Sequence, residues 1–181
     1  MTAKLRRVAQ GSPPCVGLLS SARIVLPQLR DQLELSITLG RATSAGVEIL
    51  EIARANTLVQ ITTQPGALFA LDSSAHGKVA LSFASDLFLE SLDRSIAQAL
   101  VAELRVIHER GWAVAPGEIL AGINAVAVPL LSDSGELLGS IAALGPMQSV
   151  PKEPPASLID ALKQAAQRIS SRFGSSVEIA I

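Results

Sequence analysis

Two apolar runs of strand length, Ile123–Leu131 and Leu137–Leu144, flank the turn sequence Ser132-Asp133-Ser134-Gly135-Glu136. Asp, Ser and Gly tolerate the tight backbone of a reversal, so the two runs are predicted to pair as an antiparallel hairpin. Runs this apolar belong in the middle of a sheet, and the rest of the chain must supply neighbouring strands and covering helices.

Further strands come from the N-terminal half. Leu35, Ile37 and Leu39 alternate with Ser36, Thr38 and Gly40. Val47, Ile49 and Ile52 follow the turn Thr43-Ser44-Ala45-Gly46, which predicts a second hairpin. A third strand is expected over Leu58–Thr62, ending at Gln64-Pro65-Gly66, where Pro and Gly occupy favoured turn positions.

Helical spacing appears four times. Ala22, Val25, Leu26, Leu29 and Leu33 predict a helix from a Ser20 or Ser21 cap to about Glu34, with Pro27 in its first turn or at a kink. Asp72, Ser73 and Ser74 precede a short apolar stretch to Leu81, which reads as the N-terminus of a short helix. Ile96, Leu100, Leu104 and Ile107 share one face of a helix over Ser95–Arg110, stopped by Gly111, with His108 and Glu109 at its end. After Pro154-Pro155, Leu158, Ile159, Leu162, Ala165, Ala166, Ile169 and Phe173 describe a last helix, capped by Ser157 and closed by Gly174. Together these elements predict an α+β fold: one antiparallel sheet with helices packed on it. The breaker Gly11-Ser12-Pro13-Pro14-Cys15-Val16 sets the expected organisation as a linker over 1–15, a folded domain over 16–174 and a tail over 175–181.

Composition limits what such a fold does. Aromatic residues are 3% of the chain against 49% apolar, with no Tyr, so the core is aliphatic. The net charge is −1, and the one basic clump, Lys4-Leu5-Arg6-Arg7, is too small to hold duplex DNA. A single cysteine, Cys15, makes no intramolecular disulfide and no cysteine-based zinc site, in keeping with a reducing cytoplasm. No apolar run reaches the ~18 residues of a membrane span, and residues 1–15 lack a signal peptide's apolar centre. Two histidines, no paired carboxylate motif and an isolated Gly77-Lys78 without Walker spacing leave no equipment for catalysis, and no cofactor or metal is expected.

The stretch from Asp72 to Leu81 resembles the IclR-family pattern Leu-His-Ala-Thr-Ala-x-Gly-Lys-Ala-Leu-Leu. Two further blocks agree in order: Arg110-Gly111-Trp112-Ala113-Val114 with Gly122 to Pro129, and Gly135 to Ser140 running on to Gly145-Pro146. The resemblance spans residues 5–174. It implies a GAF-like effector-binding domain of a cytoplasmic transcription regulator, assembled as a homodimer or homotetramer and sensing a small organic acid. DNA would be read only through an N-terminal winged helix-turn-helix domain absent from these residues, of which Arg6 and Arg7 would be the connecting stump.

In such proteins the acid sits at the start of the short helix, here Ala75, His76 and Gly77. Free N–H groups and the helix dipole favour an anion there. The same segment also reads as a helix start already satisfied by Asp72 or Ser73. His76 is either a ligand contact or a partly exposed histidine, while Lys78 reads as a solvent-facing charge. Where relatives carry acidic, polar or thiol side chains, this chain has Ala115, Ala125, Ala142 and Leu144, and Ile61, Phe69 and Ile123 complete an apolar wall. These residues read either as ordinary core or as the lining of a pocket for a larger apolar or aromatic carboxylate. Two functions follow: an effector sensor, or an oligomerisation module with no ligand, joined through helix 95–110 or the tail.

Overall fold

The computed structural model describes residues 15–57, 63–92 and 94–175. The basic clump at 4–7, the expected strand over 58–62 with Ile61, and residues 176–181 of the tail lie outside them.

Helix α1 covers Cys15–Leu33 and carries Pro27 inside it. It starts a turn and a half before the expected caps. Leu18 continues the buried stripe of Ala22, Val25, Leu26 and Leu29, and its burial outweighs the capping preference of Ser20 and Ser21. Strands β1 (Ser36–Thr43) and β2 (Gly46–Ala53) form the first hairpin, followed by a two-residue strand β3 (Leu68–Phe69). Helix α2 is Ala75–Phe83, and a single-turn helix α3, Asp86–Glu90, capped by Ser85, precedes α4 at Arg94–Arg110. The α3 turn is unforeseen because five residues are too few to show a period. Strands β4 (Ala113–Val114), β5 (Ile123–Leu131) and β6 (Leu137–Pro146) precede helix α5, Ala156–Ser175. Gly174, expected to close that last helix, lies within it.

The six strands form one antiparallel sheet in the order β3-β2-β1-β6-β5-β4. Its centre is therefore β1 against β6, with Ile37 opposite Ala143 and Leu39 opposite Ile141. The β5–β6 hairpin is central only through β6, because β4 covers no more of β5 than Val126 and Ala127. Pro129 sits beyond that cover. The carbonyls of Ala125 and Ile123 face the β4 side, bonded to Ala115 and Gly117. By the two-residue period, Pro129's missing N–H falls on the open edge, where it breaks no ladder bond.

That period also separates two cores. Ile37, Leu39, Val126, Val128, Leu130, Ile141 and Ala143 face α1 and α5, where they join Val25, Leu26, Leu162 and Ile169 in the larger cluster. Thr38, Ala127, Ser140, Ala142 and Leu144 alternate with them and face α2 and α4.

Candidate functional site

The start of α2 is built by Ser74. In extended backbone (φ −102°, ψ 150°), its Oγ accepts the Gly77 N–H at 2.9 Å and donates to Ala70 O at 2.6 Å. Ser74 O accepts the Lys78 N–H at 2.9 Å. The cap is thus Ser74, not Asp72 or Ser73, and it satisfies only part of the first turn. The remaining first-turn donors, Ala75 N–H and His76 N–H, have no hydrogen-bond acceptor among the described residues. Gly77 serves close packing: a Cβ there would lie 2.3 Å from Ala70 O and 2.4 Å from Leu71 O.

His76 departs from the reading as a partly exposed histidine. It is 1% exposed, and both ring nitrogens are engaged. Nε2 lies 2.8 Å from Thr38 Oγ1 on β1, and Nδ1 lies 2.7 Å from Ser140 Oγ on β6. Thr38 Oγ1 donates to Ala142 O at 3.4 Å, so it accepts from Nε2–H, and Ser140 donates to Nδ1. Gly40 leaves room for the ring, since a Cβ there would sit 3.0 Å from Nδ1. Burial lowers the imidazole pKa from 6.5 to about 4, so the ring is neutral at pH 7 and pins α2 to the two central strands. Phe69, half-buried on β3, tilts against it at 6.4 Å between centroids.

Lys78 also departs from expectation. Its side chain is 5% exposed, with Nζ 3.0 Å from Glu103 on α4 and 2.7 Å from Glu118 in the β4–β5 loop. Burial alone would lower its pKa, but hydrogen bonds and charge from Glu118 and Glu103 outweigh that, and the net shift is upward. The ammonium ties α2, α4 and the loop together.

Of the residues singled out by sequence, Ala75, Ala115, Ala142 and Leu144 are buried in one cluster, with Ala125 packed against it. Val79, Ile107, Ala113 and Ala127 complete that cluster. Ala127 and Ser140 were legible as the two-residue neighbours of Ala125 and Ala142; Thr38 and Glu118 carried no local signal. Ile123 stands apart at the foot of β5, paired with Pro146. The members of the cluster are buried. Two clefts lined by described residues, of about 620 and 410 Å³, lie instead around Phe83 at the far end of α2. No group of three or more His, Cys, Asp or Glu among the described residues is arranged to hold a metal ion.

A family model described as the bacterial transcriptional regulator IclR C-terminal domain matches residues 15–171. The chain belongs to the IclR family. Among curated relatives, it is 27% identical over 166 residues to the HTH-type transcriptional regulator BhcR of Paracoccus denitrificans, covering 85% of this chain and 60% of BhcR. It is 28% identical over 136 residues to the Pca regulon regulatory protein of Pseudomonas putida, covering 67% and 46% respectively. The IclR-type fold is shared with solved structures. Pseudomonas aeruginosa HmgR matches at 23% identity with a TM-score of 0.75, over 87% of this chain and 67% of that one. An IclR homologue from Microbacterium hydrocarbonoxydans, complexed with 4-hydroxybenzoate, matches at 21% identity with a TM-score of 0.77, over 96% and 75%. These IclR-family relatives are transcriptional regulators, not enzymes. Among the described residues, no helix is long and apolar enough to cross a membrane.

Proposed function

We propose that this chain is the effector-binding and oligomerisation domain of an IclR-type transcription regulator, forming a cytoplasmic homodimer or homotetramer. DNA is contacted through a winged helix-turn-helix domain outside these residues. The effector is a small organic acid with an apolar or aromatic body. One observation carries this reading: the N–H groups of Ala75 and His76, at the positive end of α2, lack acceptors among the described residues beside a wall of Ala75, Ala115, Ala125, Ala142 and Leu144. A carboxylate satisfies such donors without any side-chain cation, and alanines and leucine accommodate its body. His76 acts here through its backbone N–H, its ring being occupied by Thr38 and Ser140. That an IclR homologue is complexed with 4-hydroxybenzoate supports the ligand class. Effector binding then biases the arrangement of subunits through unequal affinity for two states.

The test is thermal denaturation of the chain with 4-hydroxybenzoate, benzoate and a series of aliphatic carboxylates, repeated with Ala75→Pro. A ligand that binds only the folded state raises the melting temperature. Proline at the first helical position removes one N–H while suiting the helix and the extended Ser74 before it. A stabilising acid whose effect disappears in Ala75→Pro is the expected result. A folded oligomer stabilised by no acid would favour the second reading, an oligomerisation module with no ligand, for which the burial of the alanine cluster speaks.

A further inference from the structure

The alanine cluster is buried, so any ligand that reaches the start of α2 needs a way in. The β4–β5 loop runs from Ala115, in the cluster, to Ile123 at the foot of β5. Within it, Gly117 and Gly122 take left-handed φ values of 71° and 80° on either side of Glu118-Ile119-Leu120-Ala121. The segment is closed by Gly117 N–H to Ile123 O at 2.8 Å and Ile123 N–H to Leu120 O at 3.0 Å, and its far end is anchored just past β6 by Met147 N–H to Gly122 O at 2.9 Å. Its tip is apolar yet unburied: Ile119 is 54% and Leu120 58% exposed. Among the described residues, its side-chain tie to the helices is the ion pair from Glu118 to the buried Lys78.

Lys78 has a second carboxylate, Glu103, at 3.0 Å. Freeing a buried ammonium from its partner is ordinarily costly, because an uncompensated charge is left behind. Here Glu103 stays with Lys78 when Glu118 leaves, and the departing carboxylate, already partly exposed, moves into water. The arrangement therefore lets one side of the bridge open while the other holds.

We propose that residues 117–122 form a flap that gates access to the alanine cluster, with Glu118–Lys78 as its latch and Glu103 as the standby partner that makes opening reversible. The gate rests on the reading of that cluster as an effector site, but its opening is measurable without any ligand.

The test uses neighbouring positions on β6 that face opposite sides of the sheet. In a Cys15→Ser background, Ala142→Cys reports on the gated cluster and Ala143→Cys on the α1/α5 core. Labelling rates with a small thiol reagent are measured for each, alone and with Glu118→Gln or Glu103→Gln. Ala127→Cys substitutes for Ala142→Cys if that variant does not fold. Glu118→Gln is expected to speed labelling in the cluster by about tenfold and leave Ala143→Cys unchanged. Glu103→Gln leaves cluster labelling unchanged or slows it, because Lys78 then depends on Glu118 alone. The gate is overturned if Glu118→Gln has no effect, if both glutamate substitutions speed labelling alike, or if Ala143→Cys speeds equally. A failed effector reading shows itself separately, as the absence of any thermal shift with the acids while labelling still responds to Glu118→Gln.

Discussion

The two faces of the sheet are built on different principles. Toward α1 and α5, large aliphatic side chains interdigitate, with Leu26, Leu162, Ile141 and Ile169 fully buried. Toward α2 and α4, the cluster is mostly alanine, and beside it lie the buried imidazole of His76 and the ammonium of Lys78. The first face is held by apolar burial, which tolerates no vacancy. The second is held at discrete polar points, each needing its partners in place, and a face fixed at points can be released at points. The sheet thus joins a side held by apolar burial to a side held at polar points.

That contrast breaks most visibly in the large core. Leu162→Ala removes a fully buried side chain between α5 and the sheet, and should cost about 2–5 kcal/mol in urea unfolding. The His76 pin has a distinct signature in pH. The unfolded chain takes up a proton near pH 6.5 and the folded one only near pH 4, so stability is greatest above pH 6.5, falls as pH drops through that window, and levels off below it. The loss is roughly 3 kcal/mol across the window, and His76→Gln should remove that dependence in denaturation curves taken from pH 4 to 7. Gly77→Ala pushes a methyl into the carbonyls of Ala70 and Leu71, and is expected to lower stability by about 1–3 kcal/mol without changing the apolar core. A smaller effect sharpens the comparison from outside it. The Arg23–Glu51 pair, with Arg23 largely exposed, should give a coupling below about 1 kcal/mol in a double-mutant cycle.

Legibility followed the same division. Alternation at Ile37 and Leu39, and in the β5–β6 hairpin, is a local pattern, and it gave the fold class and most strand positions. The helix stripe of α1 was legible for the same reason, apart from its first turns. Sheet order was not, since nothing within β1 states that its neighbour is β6 as well as β2. The candidate site divides likewise. The resemblance to the IclR family pointed to Ala125, Ala142 and Leu144, and a run of caps read with that resemblance pointed to Ala75. The roles of His76 and Lys78 depend on partners far along the chain: Thr38 and Ser140 for the first, Glu103 and Glu118 for the second. A buried charged residue and an exposed one look alike until those partners are placed.

The pairing of β1 with β6 has a consequence for how the chain reaches its structure. Ile37 finds Ala143 about a hundred residues later, so the central ladder closes a large loop before it yields any contact energy. The β1–β2 and β5–β6 hairpins form locally and early, but neither owns a complete hydrophobic face. The covering helices repeat the arrangement, since α1, nearest the start, packs on α5, near the end. During synthesis the first hairpin must therefore wait, with one edge unpaired, until the last strand and helix have left the ribosome. Folding of this domain is set by the arrival of its C-terminal third, and interruption of translation before β6 leaves an open-edged sheet exposed to aggregation and to chaperone capture.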